Sequence, residues 1–133
     1  RAASPAPRLL ATERWATESN IGANVALRGA WFAAPSDANF GAFRTRYRAR
    51  YNAAPFRLAS LGYDSVLLVV RVAAQWQIGR PFPVRELRNP DGFAGVDGAF
   101  RFGRDGIAER ALEVREVNAT GTTTVSPAPR NFN

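Results

Sequence analysis

The stretch Ala59-Ser-Leu-Gly-Tyr-Asp-Ser-Val-Leu-Leu-Val-Val-Arg-Val-Ala-Ala-Gln-Trp-Gln-Ile78 decides the fold class. It is too long for one strand, and Gly79 followed by Pro81 supplies a helix stop. The pattern predicts a helix over 58–78. Leu61, Val66, Leu67, Leu68, Val69, Val70 and Val72 spread over much of its circumference, which predicts burial between layers. The β-branched residues of 65–72 also suit a strand, but the Ala-rich continuation to Trp76 favours the helix.

Working upstream, Phe40, Phe43, Tyr47 and Tyr51 recur at helical spacing and put one apolar face on a second helix, over 37–51. Ser36 and Asp37 offer oxygens to its first free N–H groups, and 52–55 end it. Two short apolar runs, 8–11 and 30–33, read as strands separated by a polar stretch over 12–24. Downstream, 84–88 suits a single helical turn before the turn cluster Asn89-Pro-Asp-Gly92. Phe100 and Phe102 alternate as in a strand, Arg104-Asp-Gly106 is a turn, and 111–117 forms a last strand in which Leu112 and Val114 alternate with Glu113 and Arg115. Residues 1–7 read as a loose entry and 119–133, rich in Thr, Pro and Asn, as a tail. Helices interspersed with short strands define an α/β chain.

Composition narrows the chemistry. The 133 residues contain no Cys and no His, so disulfides, thiol nucleophiles and the commonest general base and metal ligand are excluded. No carboxylates follow a metal-loop pattern, and Gly95, Gly98, Gly103 and Gly106 match neither dinucleotide nor phosphate-loop spacing. We therefore expect no catalytic residues, no metal and no cofactor. A paired-carboxylate hydrolase is the one enzymatic option that spacing leaves open. The longest apolar run, 65–70, is far short of a membrane span, which needs ~20 residues. The chain begins at Arg1 and reads as a piece of something longer.

All 18 basic residues are Arg and the net charge is +7, which raises nucleic acid as a partner. The strongest segment for it is Arg44-Thr-Arg-Tyr-Arg-Ala-Arg50. On a helix, Arg44 and Arg48 border the apolar stripe while Arg46 and Arg50 project away on the other side. Such arginines lay their stems over a core edge rather than forming one reading face, so no specific nucleic-acid partner is expected.

The order of these segments resembles the periplasmic leucine/isoleucine/valine-binding proteins. Leu9-Leu-Ala-Thr-Glu-Arg-Trp15 is similar to the strand and loop that this family places at its cleft, although Ala11 stands where the family has Gly and Arg14 where it has a small residue. Gly29-Ala-Trp-Phe-Ala-Ala-Pro35 resembles the next strand. The Phe40–Tyr51 pattern with Pro55 resembles a surface helix and its exit, and Ala59-Ser-Leu-Gly-Tyr-Asp-Ser-Val66 the start of the family's Tyr-Asp-Ala-Val helix. Phe93-Ala-Gly-Val-Asp-Gly-Ala-Phe-Arg-Phe102 resembles the late hairpin, and Leu112-Glu-Val-Arg-Glu-Val117 the closing strand. The Trp-Phe and Phe-Arg-Phe variants also resemble the branch known as penicillin-binding-protein activators.

The resemblance implies the C-terminal portion of a two-lobed type I periplasmic-binding-protein fold, with mostly parallel sheets flanked by helices and a chain that contributes to both lobes. It implies a second-lobe segment at 8–52, a return to the first lobe at 53–105 and a closing second-lobe strand at 106–118. Glu13 then faces a ligand ammonium, Trp15 walls the cleft, and Tyr63 faces it from the other lobe. For Glu13 a solvated loop carboxylate is the competing reading, and for Tyr63 a core tyrosine. Asp64 reads as a local helix-start carboxylate. The implied function is non-enzymatic: periplasmic binding of a branched-chain or related amino acid, or another small polar solute, for an ABC transporter permease. The alternative is a protein-binding regulator of cell-wall synthesis on the same fold. Either way, exposed sheet edges and helix faces are expected, covered by an oligomer or by an N-terminal part of the receptor.

Overall fold

A computed structural model describes residues 7–132. They form two compact units, one of residues 7–35 and 112–128, the other of residues 36–111 and 129–132.

In the first unit, β1 (Leu10–Ala11) pairs in parallel with β2 (Trp31–Ala34), and β2 pairs antiparallel with β6 (Glu113–Asn118). The strand β7 (Gly121–Ser126) then completes the order β1-β2-β6-β7. The polar stretch between β1 and β2 is not featureless: it holds three 3₁₀ turns, Glu13–Thr17, Ile21–Ala23 and Val25–Leu27. Ile21, Ala30, Phe32, Ala34 and Val117 make the core, with Ala11, Trp15 and Leu27 packed against it. Gly22 sits so close to the Asn118 carbonyl that a Cβ there would overlap it, which seats the second 3₁₀ turn on the β6–β7 corner.

The sequence places a tail after residue 118, but 121–126 is a strand in register with β6, from Asn118↔Gly121 to Val114↔Ser126. Its threonines favour extended backbone. Asn118 turns the corner, accepting the Thr120 N–H at 2.9 Å and donating to Thr123 Oγ1 at 2.6 Å. The inward face of β6 also departs from its hydropathy. Glu113, Arg115 and Val117 are buried, while Val114 is only half-buried. Register explains this, because Glu113 and Arg115 lie opposite the buried Ala34 and Phe32 of β2. Arg115 Nε donates to Glu113 Oε1 at 2.6 Å and Arg115 Nη2 to the Pro35 carbonyl at 3.2 Å, so the two charges enter the core as a pair.

In the second unit, β3 (Phe93–Gly95), β4 (Gly98–Phe102) and β5 (Ala108–Arg110) form an antiparallel sheet. Helices α1 (Phe40–Tyr51) and α2 (Ala59–Ala73) precede it, and a 3₁₀ turn at Val84–Arg88 matches the expected helical turn. Helix α1 starts later than predicted, because Ser36 Oγ is spent on the Ala38 N–H and the cap falls on Asn39. Leu68, Val72, Phe93 and Phe100 form the core.

Helix α2 is shorter than the predicted 58–78 and is not buried between layers. Only the stripe Ser60, Asp64, Leu68 and Val72 is buried. Three short strands cover one stripe of a helix, which leaves Leu61, Val66, Leu67, Val69 and Val70 exposed. Asp64 is likewise not a helix-start carboxylate. It is buried in the second turn, accepts the Val96 N–H at 2.8 Å, and lies where a Cβ on Gly95 would collide with it. Asp97, also buried, accepts from Ser60 Oγ at 2.6 Å and pairs with Arg57. The polar half of the buried stripe therefore grips the β3–β4 turn. Helix α1 groups with α2 in this unit, the Phe43 and Tyr63 rings lying 5.1 Å apart.

Candidate functional site

Glu13 and Trp15 both belong to the 3₁₀ turn that leaves the carboxyl end of β1 through Thr12. The Trp15 N–H bonds back to the Thr12 carbonyl at 3.2 Å, and Thr17 Oγ1 to the Arg14 carbonyl at 2.9 Å, so the turn is closed by its own groups. Trp15 is half-buried and tilts against Phe32, with ring centroids 6.1 Å apart. It also lines a hollow of about 280 Å³ together with Glu18, Ser19, Asn20, Ile21, Asn24 and Leu27. Glu13 is exposed.

The hollow combines an aromatic wall, an apolar base of Ile21 and Leu27, and the polar groups of Glu18, Ser19 and Asn20. That is the composition by which small polar solutes are held: apolar contact plus a few placed donors and acceptors. Asn24 contributes less, because its Oδ1 accepts the Ala26 N–H at 3.1 Å. Glu18, Ser19 and Asn20 escaped the sequence reading, which treated 12–24 as one polar stretch. The short helical turns that gather them have no periodic apolar signature to betray them.

A second cluster in this unit also went unread. Glu116 accepts from Trp31 Nε1 at 2.7 Å and from Arg8 at 2.9 Å, and the Arg8 guanidinium lies 4.2 Å from the centre of the Trp31 ring system. The indole donor first and Arg8 second hold the Glu116 carboxyl below the usual glutamate value. Trp31 and Glu116 are 85 positions apart, and only the β2–β6 register joins them.

Tyr63 lies in the other unit, on α2, against Phe43. It lines a groove of about 430 Å³ between α1 and α2. Arg46 and Arg50 line this groove as well, so they do not project away from the aromatic face as the helical projection suggests. Among the described residues, no three carboxylates gather as a metal site, and no helix is long and apolar enough to cross a membrane.

No protein-family model matches the sequence, and no curated protein matches it either. Solved structures do resemble it. A protein described as a branched-chain amino acid ABC transporter, from Rhodospirillum rubrum, superposes with a TM-score of 0.72 at 21% identity, over 93% of this chain and 38% of its own. An extracellular ligand binding receptor from Desulfohalobium retbaense gives a TM-score of 0.58 at 22% identity, over 89% of this chain and 22% of its own. The chain therefore carries part of the type I periplasmic-binding-protein fold, and it spans well under half the length of either neighbour.

Proposed function

We propose that this chain is the C-terminal portion of an extracytoplasmic, non-enzymatic solute receptor. The receptor binds an amino acid of the branched-chain type, or a related small polar solute, between two lobes and presents it to the permease of an ABC transporter. In this reading the periplasm is its compartment. The observation that carries the proposal is the placement of Glu13 and Trp15 directly after the carboxyl end of β1, in a fold that matches an ABC-transporter protein over 93% of the chain. Open α/β sheets bind ligands outside the carboxyl ends of their strands. There Glu13 supplies a carboxylate for an ammonium, Trp15 a wall for the solute's apolar part, and Tyr63 a contact from the other lobe.

Calorimetry tests this on the receptor that contains the chain, titrated with leucine, isoleucine and valine. We expect saturable binding, weakened at least tenfold by Glu13→Gln and by Trp15→Ala. Full affinity in both variants would remove these residues from the site, and no binding of any of the three would remove the branched-chain assignment.

A further inference from the structure

All three tyrosines of the sequence, Tyr47, Tyr51 and Tyr63, line the single groove between α1 and α2. Phe43 joins them as its buried member. The rings form a continuous set, with centroids 4.6 Å apart for Tyr47–Tyr51, 5.9 Å for Phe43–Tyr47 and 5.1 Å for Phe43–Tyr63. Across from α1, Ala59, Gly62 and Val66 present one face of α2 at helical spacing. Gly62 leaves open space, for a Cβ built there meets nothing within 4 Å. The result is a hollow of about 430 Å³, within the ~300–1,000 Å³ usual for small-molecule sites.

Its charge is one-sided. Arg46 and Arg50, one helical turn apart on α1, stand in the lining, and no acidic residue does. Neither guanidinium forms an ion pair among the described residues. Aromatic walls favour a planar apolar body, since ring pairs gain from offset and tilted contact. Two arginines that form no ion pair among the described residues favour an anion on the end of that body.

We propose that the α1–α2 groove is a binding site for a planar aromatic anion, its rings held among Phe43, Tyr47 and Tyr63 and its anionic group between Arg46 and Arg50. The site lies wholly in the second unit; it shares Tyr63 with the solute contact proposed above, and the residues of the hollow beside Trp15 take no part in it.

The test is fluorescence titration of the protein with naphthalene-2-sulfonate, using the uncharged naphthalene-2-sulfonamide as the matched control. Saturable binding at ~1 mM or tighter is expected for a ligand of this size. The sulfonate should bind about tenfold more tightly than the sulfonamide, one charge-assisted contact being worth about that factor. Arg46→Gln with Arg50→Gln should erase the difference between the two probes while leaving the sulfonamide affinity in place. Gly62→Leu should abolish binding of both by filling the open space, with helicity unchanged or raised because Leu is the better helix former. Equal affinity for the two probes in the unmodified protein would overturn the anion assignment. Undiminished binding in Gly62→Leu, with circular dichroism showing the fold intact, would overturn the site.

Discussion

The carboxylate of Asp64 reaches out of α2 to accept the backbone N–H of Val96 at 2.8 Å, and Gly95 is the residue that makes room for it. Both partners are buried, so water cannot replace the bond if it is lost. Asp64→Ala should destabilise the protein by about 1–3 kcal/mol, the cost of a stranded buried donor. Gly95→Ala should cost a similar amount by pushing the carboxylate aside. Urea denaturation followed by circular dichroism measures both. The double variant should fall short of the sum, because each change breaks the same contact. Additive effects would show that the two residues act separately.

The buried pair on β6 gives a prediction of the opposite kind. Arg115→Met leaves the Glu113 carboxylate in the first unit's core without its guanidinium, and the Pro35 carbonyl without its donor. Breaking such a pair from one side costs ~3–5 kcal/mol, whereas replacing both partners with apolar residues of similar volume is nearly neutral. The double variant Glu113→Leu/Arg115→Met should therefore be markedly more stable than Arg115→Met alone, as read from thermal melts. A double variant no better than the single one would mean that the pair fixes the β2–β6 register rather than merely occupying it.

These two strands also mark what the sequence revealed and what it hid. Helical spacing exposed α1 through Phe40, Phe43, Tyr47 and Tyr51, because that signal is local and repeats every turn. The alternation in β6 was visible too, but its facing was not: Glu113 and Arg115 turn inward because of residues about 80 positions earlier. The same blindness hid β7, whose threonines look like tail until Asn118 turns the chain back onto β6. At the candidate site, the strand-like run before Glu13 and Trp15 was legible, and both residues do follow the strand β1. The hollow around Glu18 and Asn20 was not, since three short 3₁₀ turns build it without a repeating pattern.

Glu116 should titrate below the usual range for a glutamate, for the Trp31 indole N–H and then Arg8 stabilise its charged form. The sign follows from linkage. Its pKa is depressed by folding, so its contribution is fully present above the unfolded glutamate value and is lost as pH falls through the lower folded value. Trp31→Phe removes the largest single cause and should move the Glu116 titration upward; Arg8→Gln removes the next and should move it the same way. Carboxyl-carbon NMR of Glu116 from acid to neutral pH reads both shifts. An unchanged midpoint in Trp31→Phe would mean that the indole contact does not form in solution.

The last prediction concerns the 133 residues by themselves, and it rests on the proposed receptor function. An amino acid needs a carboxylate for its ammonium and N–H or hydroxyl donors for its own carboxylate, brought together around one position. The hollow beside Trp15 offers Glu18 and an aromatic wall, but it is lined from one short stretch of chain, and Asn24 is already engaged with the Ala26 N–H. The chain spans only 38% of the length of its R. rubrum neighbour, so most of the elements of that fold have no counterpart among these residues. Titrated by calorimetry, the 133-residue chain should therefore bind leucine, isoleucine and valine more weakly than ~1 mM, equivalent to about −4 kcal/mol. The receptor that contains it should bind at least one of them far more tightly. Micromolar binding by the chain alone would show that the groups around Trp15 suffice as a site, and would overturn the view that affinity is shared between two lobes.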